Sequence, residues 1–244
     1  MQILSFDTSA SDLQIAALKD GKILLAKKLS PKANARQEAA SQLMPAIETL
    51  LSELSWKKQE IDILVVGIGP GSFTGVRVAV ITARSLGQAL NLAVYPVSSL
   101  EALAFNLPRP CAIVLNAGAG SLYFAAYGKD LEKPEESQLS APLCATAEEL
   151  SDRIAQFEEV FLDESLPESL LTSKQKRLKL APDINQASAA ATLAFERLKQ
   201  AKQLLSRDSL SKAYPWDNVL PLYLRSPSVT LKAKDGSSNK TTAS

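Results

Sequence analysis

Apolar residues in the first thirty positions fall into three short runs separated by polar breaks. Ile3-Leu4-Ser5-Phe6 stops at Asp7-Thr8-Ser9, Leu13, Ile15 and Ala17 alternate with polar or small neighbours, and Asp20-Gly21 precedes Ile23-Leu24-Leu25-Ala26. Short runs around an Asp-Gly turn predict an antiparallel meander of three strands. The period changes after Pro31. Leu43, Ile47, Leu50, Leu51 and Leu54 recur at spacings of three or four, one face of a helix over 35–54 that Pro45 bends or interrupts. A continuous apolar run over 61–67 predicts a buried strand. The glycine-rich turn GPGSFTG then feeds a helix over 75–90, and 93–97 returns to strand. Ser98 with Glu101 has the spacing of a capping box for a short helix ending before Pro108. Strand and helix alternating after a meander is an α/β pattern with a mixed sheet.

The second half opens with an echo of the first. Placing Asp7 over Asn116 without gaps sets Ile3-Leu4 over Ala112-Ile113 and Leu13-Gln14-Ile15-Ala16-Ala17 over Leu122-Tyr123-Phe124-Ala125-Ala126. So short a match fits coincidence as well as duplication. A duplication would divide the chain near Pro108-Arg109-Pro110, into a half over 1–108 and a smaller, divergent half over 109–225. Thr146 with Glu149 spaces another capping box, for a helix through Phe157, and 160–162 reads as a short strand. The alanine-rich stretch 187–205 reads as helix, and the polar stretch 226–244 as a disordered tail.

One helix carries a further pattern. Gly75, Ala79, Ala83 and Gly87 recur every fourth residue, with Val76 and Val80 beside them. A ridge almost without side chains permits close approach, either of neighbouring parts of the same chain or of another protein. If a partner lies there, Ala39, Ala40 and Ala46 on the preceding helix extend the same surface.

Composition removes whole classes of chemistry. Among 244 residues there is no histidine and there are two cysteines, Cys111 and Cys144. A Ser-His-Asp triad, a Cys-His dyad and a histidine-ligated metal are therefore excluded. Two thiols do not make a disulfide framework, and both read best as small buried apolar side chains in a reducing cytoplasm. Lys plus Arg number 27 against 26 Asp plus Glu, a poor footprint for binding RNA alone. The cluster Lys174, Lys176, Arg177 and Lys179 reads as a solvated loop. No apolar run is long enough to span a bilayer, and the N-terminus lacks the pattern of a signal peptide.

Two segments are candidates for binding phosphate. Asp7, Thr8 and Ser9 stand at a strand-to-turn junction, where a carboxylate beside hydroxyls suits a hydrated magnesium ion and a phosphate, or else a local turn held by its own side chains. Gly69, Gly71, Ser72 and Thr74 lie between a buried strand and a helix N-terminus, a setting for an anion or for a simple helix cap by Thr74. The loop matches neither a Walker A sequence nor a dinucleotide fingerprint.

Taken together, ILSFDTSAS at 3–11, QLMPAIETLL at 42–51, IDILVVGIGPGSFTGVRVAVITARSLGQAL at 61–90, VSSLEALA at 97–104, SLYFAAY at 121–127 and PLYLR at 221–225 resemble the TsaB (YeaZ) family. The resemblance implies an actin-like, Hsp70-like ATPase fold of two ribonuclease-H-like halves. It implies a non-catalytic partner of the paralogue TsaD, which transfers a threonylcarbamoyl group to N6 of adenosine 37 in tRNAs reading ANN codons. A small ATPase, TsaE, would join the complex, tRNA would be met only through it, and a homodimer of the chain alone is left open beside the heterodimer. No cofactor or metal is required, and weak nucleotide binding is left open. First-half helices form the pairing surface in this family, where the small-residue ridge lies. Two departures stand out: Ala39 replaces a histidine common among relatives, and Asn116-Ala117-Gly118 replaces Asp-Ala-Arg. The alternative is a small phosphotransferase or ATPase of the same fold working through Asp7 and the GPGSFTG loop; metalloprotease activity has no ligands to support it.

Overall fold

The computed structural model describes residues 1–30, 38–130, 138–179, 184–201 and 206–225, with side chains from Ser41 onward in the second stretch. The predicted tail over 226–244 lies outside these residues, as do the first residues of the helix predicted over 35–54.

Three antiparallel strands open the chain: β1 (Gln2–Asp7), β2 (Leu13–Lys19) and β3 (Lys22–Leu29). The β2–β3 turn places Asp20 and Gly21 at φ 49° and 83°, the left-handed pair that an Asp-Gly hairpin turn uses. Helix α1 (Glu38–Glu53) runs through Pro45. After it, β4 (Ile63–Gly67), helix α2 (Phe73–Leu90), β5 (Ala93–Val97) and helix α3 (Ser99–Phe105) complete the first unit. The sheet order is β3-β2-β1-β4-β5, with β4 and β5 parallel to β1.

The second sheet repeats this plan. It consists of β6 (Cys111–Gly118), β7 (Ser121–Tyr127), β8 (Gln138–Thr146), β9 (Glu159–Leu162) and β10 (Lys176–Leu178), ordered β10-β9-β6-β7-β8. Again three antiparallel strands are followed by two parallel ones. The duplication is therefore present, but the ungapped match is out of phase on one strand. Ile15 and Phe124 both face outer cores, as the match requires. Leu4 faces the outer core of its sheet, whereas Ile113 faces the centre. A one-residue slip turns every side chain to the other face, so Asn116 is not the counterpart of Asp7.

Helix α4 (Ala147–Ile154) covers the outer face of the second sheet, and α1 with α2 cover the outer face of the first. Between the sheets lies a shared core, built by α3, by helix α5 (Gln186–Gln200) and by Leu210 of helix α6 (Arg207–Ala213). Ile3, Ile63 and Val65 enter it from one sheet, and Cys111, Ile113 and Tyr127 from the other. Although α5 follows the second sheet in the chain, it packs on β1, β2 and β4 of the first. At its edge Glu101 of α3 receives both guanidinium nitrogens of Arg197 of α5, at 2.6 and 3.3 Å.

Local expectations fare unevenly. Thr146 and Glu149 form the capping box expected of them. Ser98 and Glu101 do not, because Glu101 is committed to Arg197 and the Ser98 hydroxyl donates to the Gly69 carbonyl. The basic cluster at 174–179 contains strand β10, where Lys176 pairs with Glu159 and Arg177 with Glu168. Both cysteines are free; Cys111 is buried and Cys144 partly so.

Candidate functional site

The two candidate phosphate-binding segments meet, and they meet each other. Strand β1 delivers Asp7 to its C-terminal end, where the side chain is 2% exposed and faces the layer between the sheets. Its Oδ1 accepts the Ser9 N–H at 2.6 Å and its Oδ2 accepts the Ser99 hydroxyl at 2.7 Å. Ser99 in turn accepts the Gly69 N–H at 3.2 Å, and its own N–H donates to the Gly69 carbonyl. The Thr8 hydroxyl donates to the Gly75 carbonyl at 2.6 Å, and the Ser72 N–H donates to the Ser9 carbonyl at 2.7 Å.

Contact between the segments is close enough to require missing side chains. A Cβ on Gly71 would run into the Ser9 carbonyl, and one on Gly75 into the Thr8 carbonyl. The Asp7 carboxylate and the Thr8 hydroxyl, two of the groups that suited a magnesium phosphate, are thus engaged within the chain. Thr74 does not cap the helix: it is exposed in the first turn, and the Ser72 hydroxyl accepts the Gly75 N–H instead. What the arrangement achieves chemically is to lock the strand end, the loop and the starts of α2 and α3 together.

The small-residue ridge of α2 packs inward as well. Ala79 and Ala83 are fully buried, Val76 and Val80 are 2% exposed, and Gly75 and Gly87 are buried. At Gly87 a Cβ would lie 2.6 Å from Cβ of Trp216. Gly75, Val76, Ala79, Val80, Ala83 and Gly87 are therefore core positions rather than a docking surface. The ridge serves close approach of β1, β5 and the C-terminal segment. Ala39 is in α1, with its side chain outside the described residues.

The outward face of α2 bears different residues, which the periodicity did not single out. Arg77, Ile81 and Arg84 there line a groove of about 430 Å³, closed on the other side by Trp216, Pro221 and Tyr223. The Arg77 Nε donates to the Tyr223 hydroxyl at 2.7 Å, while its guanidinium lies 4.0 Å from the Phe73 ring. Leu222 N–H donates to the Ile68 carbonyl, and Arg225 donates to the carbonyls of Ala117 and Gly118 at 2.7 and 2.8 Å. PLYLR thus crosses from the first unit to the β6–β7 hairpin of the second.

At that hairpin Asn116 Oδ1 accepts the Gly118 N–H at 2.8 Å, and its Nδ2 donates to Ser165. The neighbouring carboxylate is Asp163, just beyond β9, which accepts from the backbone N–H and hydroxyl of Ser165 at 2.9 Å each. Sequence reasoning missed it, since a lone Asp after a short strand carries no spacing signal.

Comparison with known proteins places this geometry. The family model described as TsaD: tRNA N6-adenosine threonylcarbamoyltransferase matches residues 29–141. The tRNA threonylcarbamoyladenosine biosynthesis protein TsaB of Bacillus subtilis is 39% identical over 106 residues, 43% of this chain and 44% of that protein. The protein of the same name from Escherichia coli is 29% identical over 135 residues, 53% and 56% of the two chains. The solved structure of YeaZ from Pseudomonas aeruginosa superposes with a TM-score of 0.64 at 22% identity, covering 91% of this chain and 99% of that one. The chain is similar in sequence to TsaB proteins over about half its length and shares the fold of YeaZ. Its two mixed five-stranded sheets are the two ribonuclease-H-like halves of an actin-like fold. The chain spans about half the length of the curated relatives it matches.

Proposed function

We propose that this chain acts as a TsaB, a non-catalytic partner subunit in the formation of threonylcarbamoyladenosine on tRNA, binding and supporting the paralogue TsaD. The observation that carries this reading is the direct packing of Asp7-Thr8-Ser9 onto the GPGSFTG loop. The two loops that were candidates for holding a phosphate bond directly to each other, the Ser72 N–H to the Ser9 carbonyl and the Thr8 hydroxyl to the Gly75 carbonyl. A chain whose candidate phosphate loops lock each other fits a supporting role better than a catalytic one. It needs no cofactor of its own, meets tRNA only within the complex, works in the cytoplasm, and accepts TsaE as a further subunit.

The experiment is a size measurement of the chain alone, of TsaD from the same organism, and of the two mixed. A mixed species of the summed mass is expected. Failure to associate under conditions where another TsaB and TsaD pair associates would overturn the partnership. Calorimetry with Mg-ATP separates this reading from an ATPase of the same fold, since binding and turnover by the pure chain would favour the enzyme.

A further inference from the structure

The tip of the β6–β7 hairpin draws support from outside its own strands. Ala117 is an extra residue in the ladder, since Asn116 pairs with Leu122 and Gly118 with Ser121. The turn that follows places Ala119 at φ 49° and Gly120 at φ 77°, and in a two-residue turn of that kind Asn, Asp or Gly ordinarily fills the first left-handed place. A bulged residue is left out of the ladder. Here the Ala117 carbonyl is taken by Arg225, whose Nη1 donates to it at 2.7 Å and to the Gly118 carbonyl at 2.8 Å.

We propose that residues 222–225 form a relay strap between the halves, in which the contact of Arg77 with Tyr223 on α2 sets the conformation of the β6–β7 hairpin tip through Arg225. A carboxylate or other group that draws Arg77 off Tyr223 in the first half is then felt at residues 116–120 of the second. The relay is internal to the chain and does not rest on the partner-subunit reading.

Three contacts build the strap. The Leu222 N–H donates to the Ile68 carbonyl at 2.9 Å and pins the strap beside the loop before α2. Next to it, Tyr223 packs on the Phe73 ring at a centroid distance of 4.9 Å, and its hydroxyl accepts the Arg77 Nε at 2.7 Å. Leu222 thus fixes where the arm starts, and Tyr223 fixes which way it runs. Only Leu224 separates Tyr223 from Arg225, and two residues span at most about 7 Å. So short an arm has little slack with which to absorb a shift of Tyr223. The receiving end is sensitive to such a shift, because one nitrogen serves two carbonyls and both bonds weaken steeply with a displacement of about 1 Å. Tyr223 is 44% exposed, so the sending end is open to a ligand, and contacts at the surface of a fold open more readily than its core.

The test is amide exchange on the full chain, comparing wild type, Tyr223→Ala, Arg225→Ala and the double variant. Tyr223→Ala should quicken exchange over residues 116–122 by about three- to tenfold while β4 and the body of α2 keep their protection. On top of Arg225→Ala it should add nothing at the hairpin, because a relay that has lost its last link carries no signal. Should Tyr223→Ala melt early, Tyr223→Phe, which takes away only the hydroxyl, carries the same comparison. A hairpin that exchanges as in the wild type overturns the relay, and so does one that the two substitutions loosen by independent, multiplying factors. Quickening spread equally over β4 and α2 overturns it as well, since Tyr223 would then hold the whole molecule together rather than address one hairpin.

Discussion

The hydroxyl of Ser99 serves three segments at once: it donates to Asp7, accepts from Gly69, and belongs to the first turn of α3. Ser99→Ala therefore leaves a buried carboxylate oxygen without a donor and a buried N–H without an acceptor. The expected loss is about 2–3 kcal/mol in chemical denaturation. A change within 0.5 kcal/mol would mean that water supplies these partners and that the loops are less closed than described. Gly75→Ala should be worse, because the new Cβ meets backbone rather than a side chain that can swing away. Cys111 offers a pH-dependent test. Burial pushes its thiol up to about 11 from an ordinary 9.0, with Arg109 pulling the other way and Glu159 adding to the rise. The unfolded thiol ionises first, so stability is fully present below about pH 9 and falls as pH rises toward 11. Urea unfolding at pH 8 and 10.5 should show a Cys111 contribution of about 1–2 kcal/mol lost, and Cys111→Ala should flatten that dependence.

At the scale of elements, what was legible in the sequence followed from local rules. The Asp20-Gly21 hairpin, the buried run of β4 and the Thr146–Glu149 box each rest on residues a few positions apart. What was not legible depended on residues far away. Ser98 and Glu101 have the spacing of a cap, but Arg197 takes the carboxylate from 96 positions on. The four-residue ridge of α2 was equally compatible with a partner and with the interior, since its pattern does not name the backbone that approaches it. Thr8 and Trp216 do so here. The two candidate phosphate-binding segments do meet, yet nothing in their sequence signals that the Thr8 hydroxyl bonds to the Gly75 carbonyl of the other. Strand β10 escaped notice because three residues with two basic side chains carry no alternation, and its edge position leaves those charges in solvent. The ridge gives this scale its prediction. Ala83→Trp should unfold the chain or lower its melting temperature by well over 10 °C, because a buried position with no room receives a large ring. A folded Ala83→Trp chain that merely lost its partner would return the ridge to the surface.

The molecule is five layers deep, with α1 and α2, a sheet, the α3 and α5 layer, a second sheet and α4. The central layer ties the halves, since both sheets contribute to one apolar cluster and the Glu101–Arg197 pair, 13% and 11% exposed, joins its helices. On the outside the halves are tied once more. The segment ending in PLYLR packs Trp216 and Val219 against the first unit, sets Tyr223 on Phe73, and reaches the second unit through Arg225. The second tie is the one that can be cut without disturbing the core. Arg225→Ala removes two charge-assisted hydrogen bonds at a partly exposed site, a loss of about 1–2 kcal/mol. Because the bonds end on Ala117 and Gly118, the loss should show locally before it shows globally. Amide exchange should quicken over residues 116–122 while β4 and α2 keep their protection, and unfolding in urea should remain a single transition carried by the shared core. If exchange at the hairpin is unchanged, Arg225 is decoration and the central layer alone joins the halves. If unfolding splits into two steps, the segment rather than the shared core is what makes the two sheets one cooperative unit.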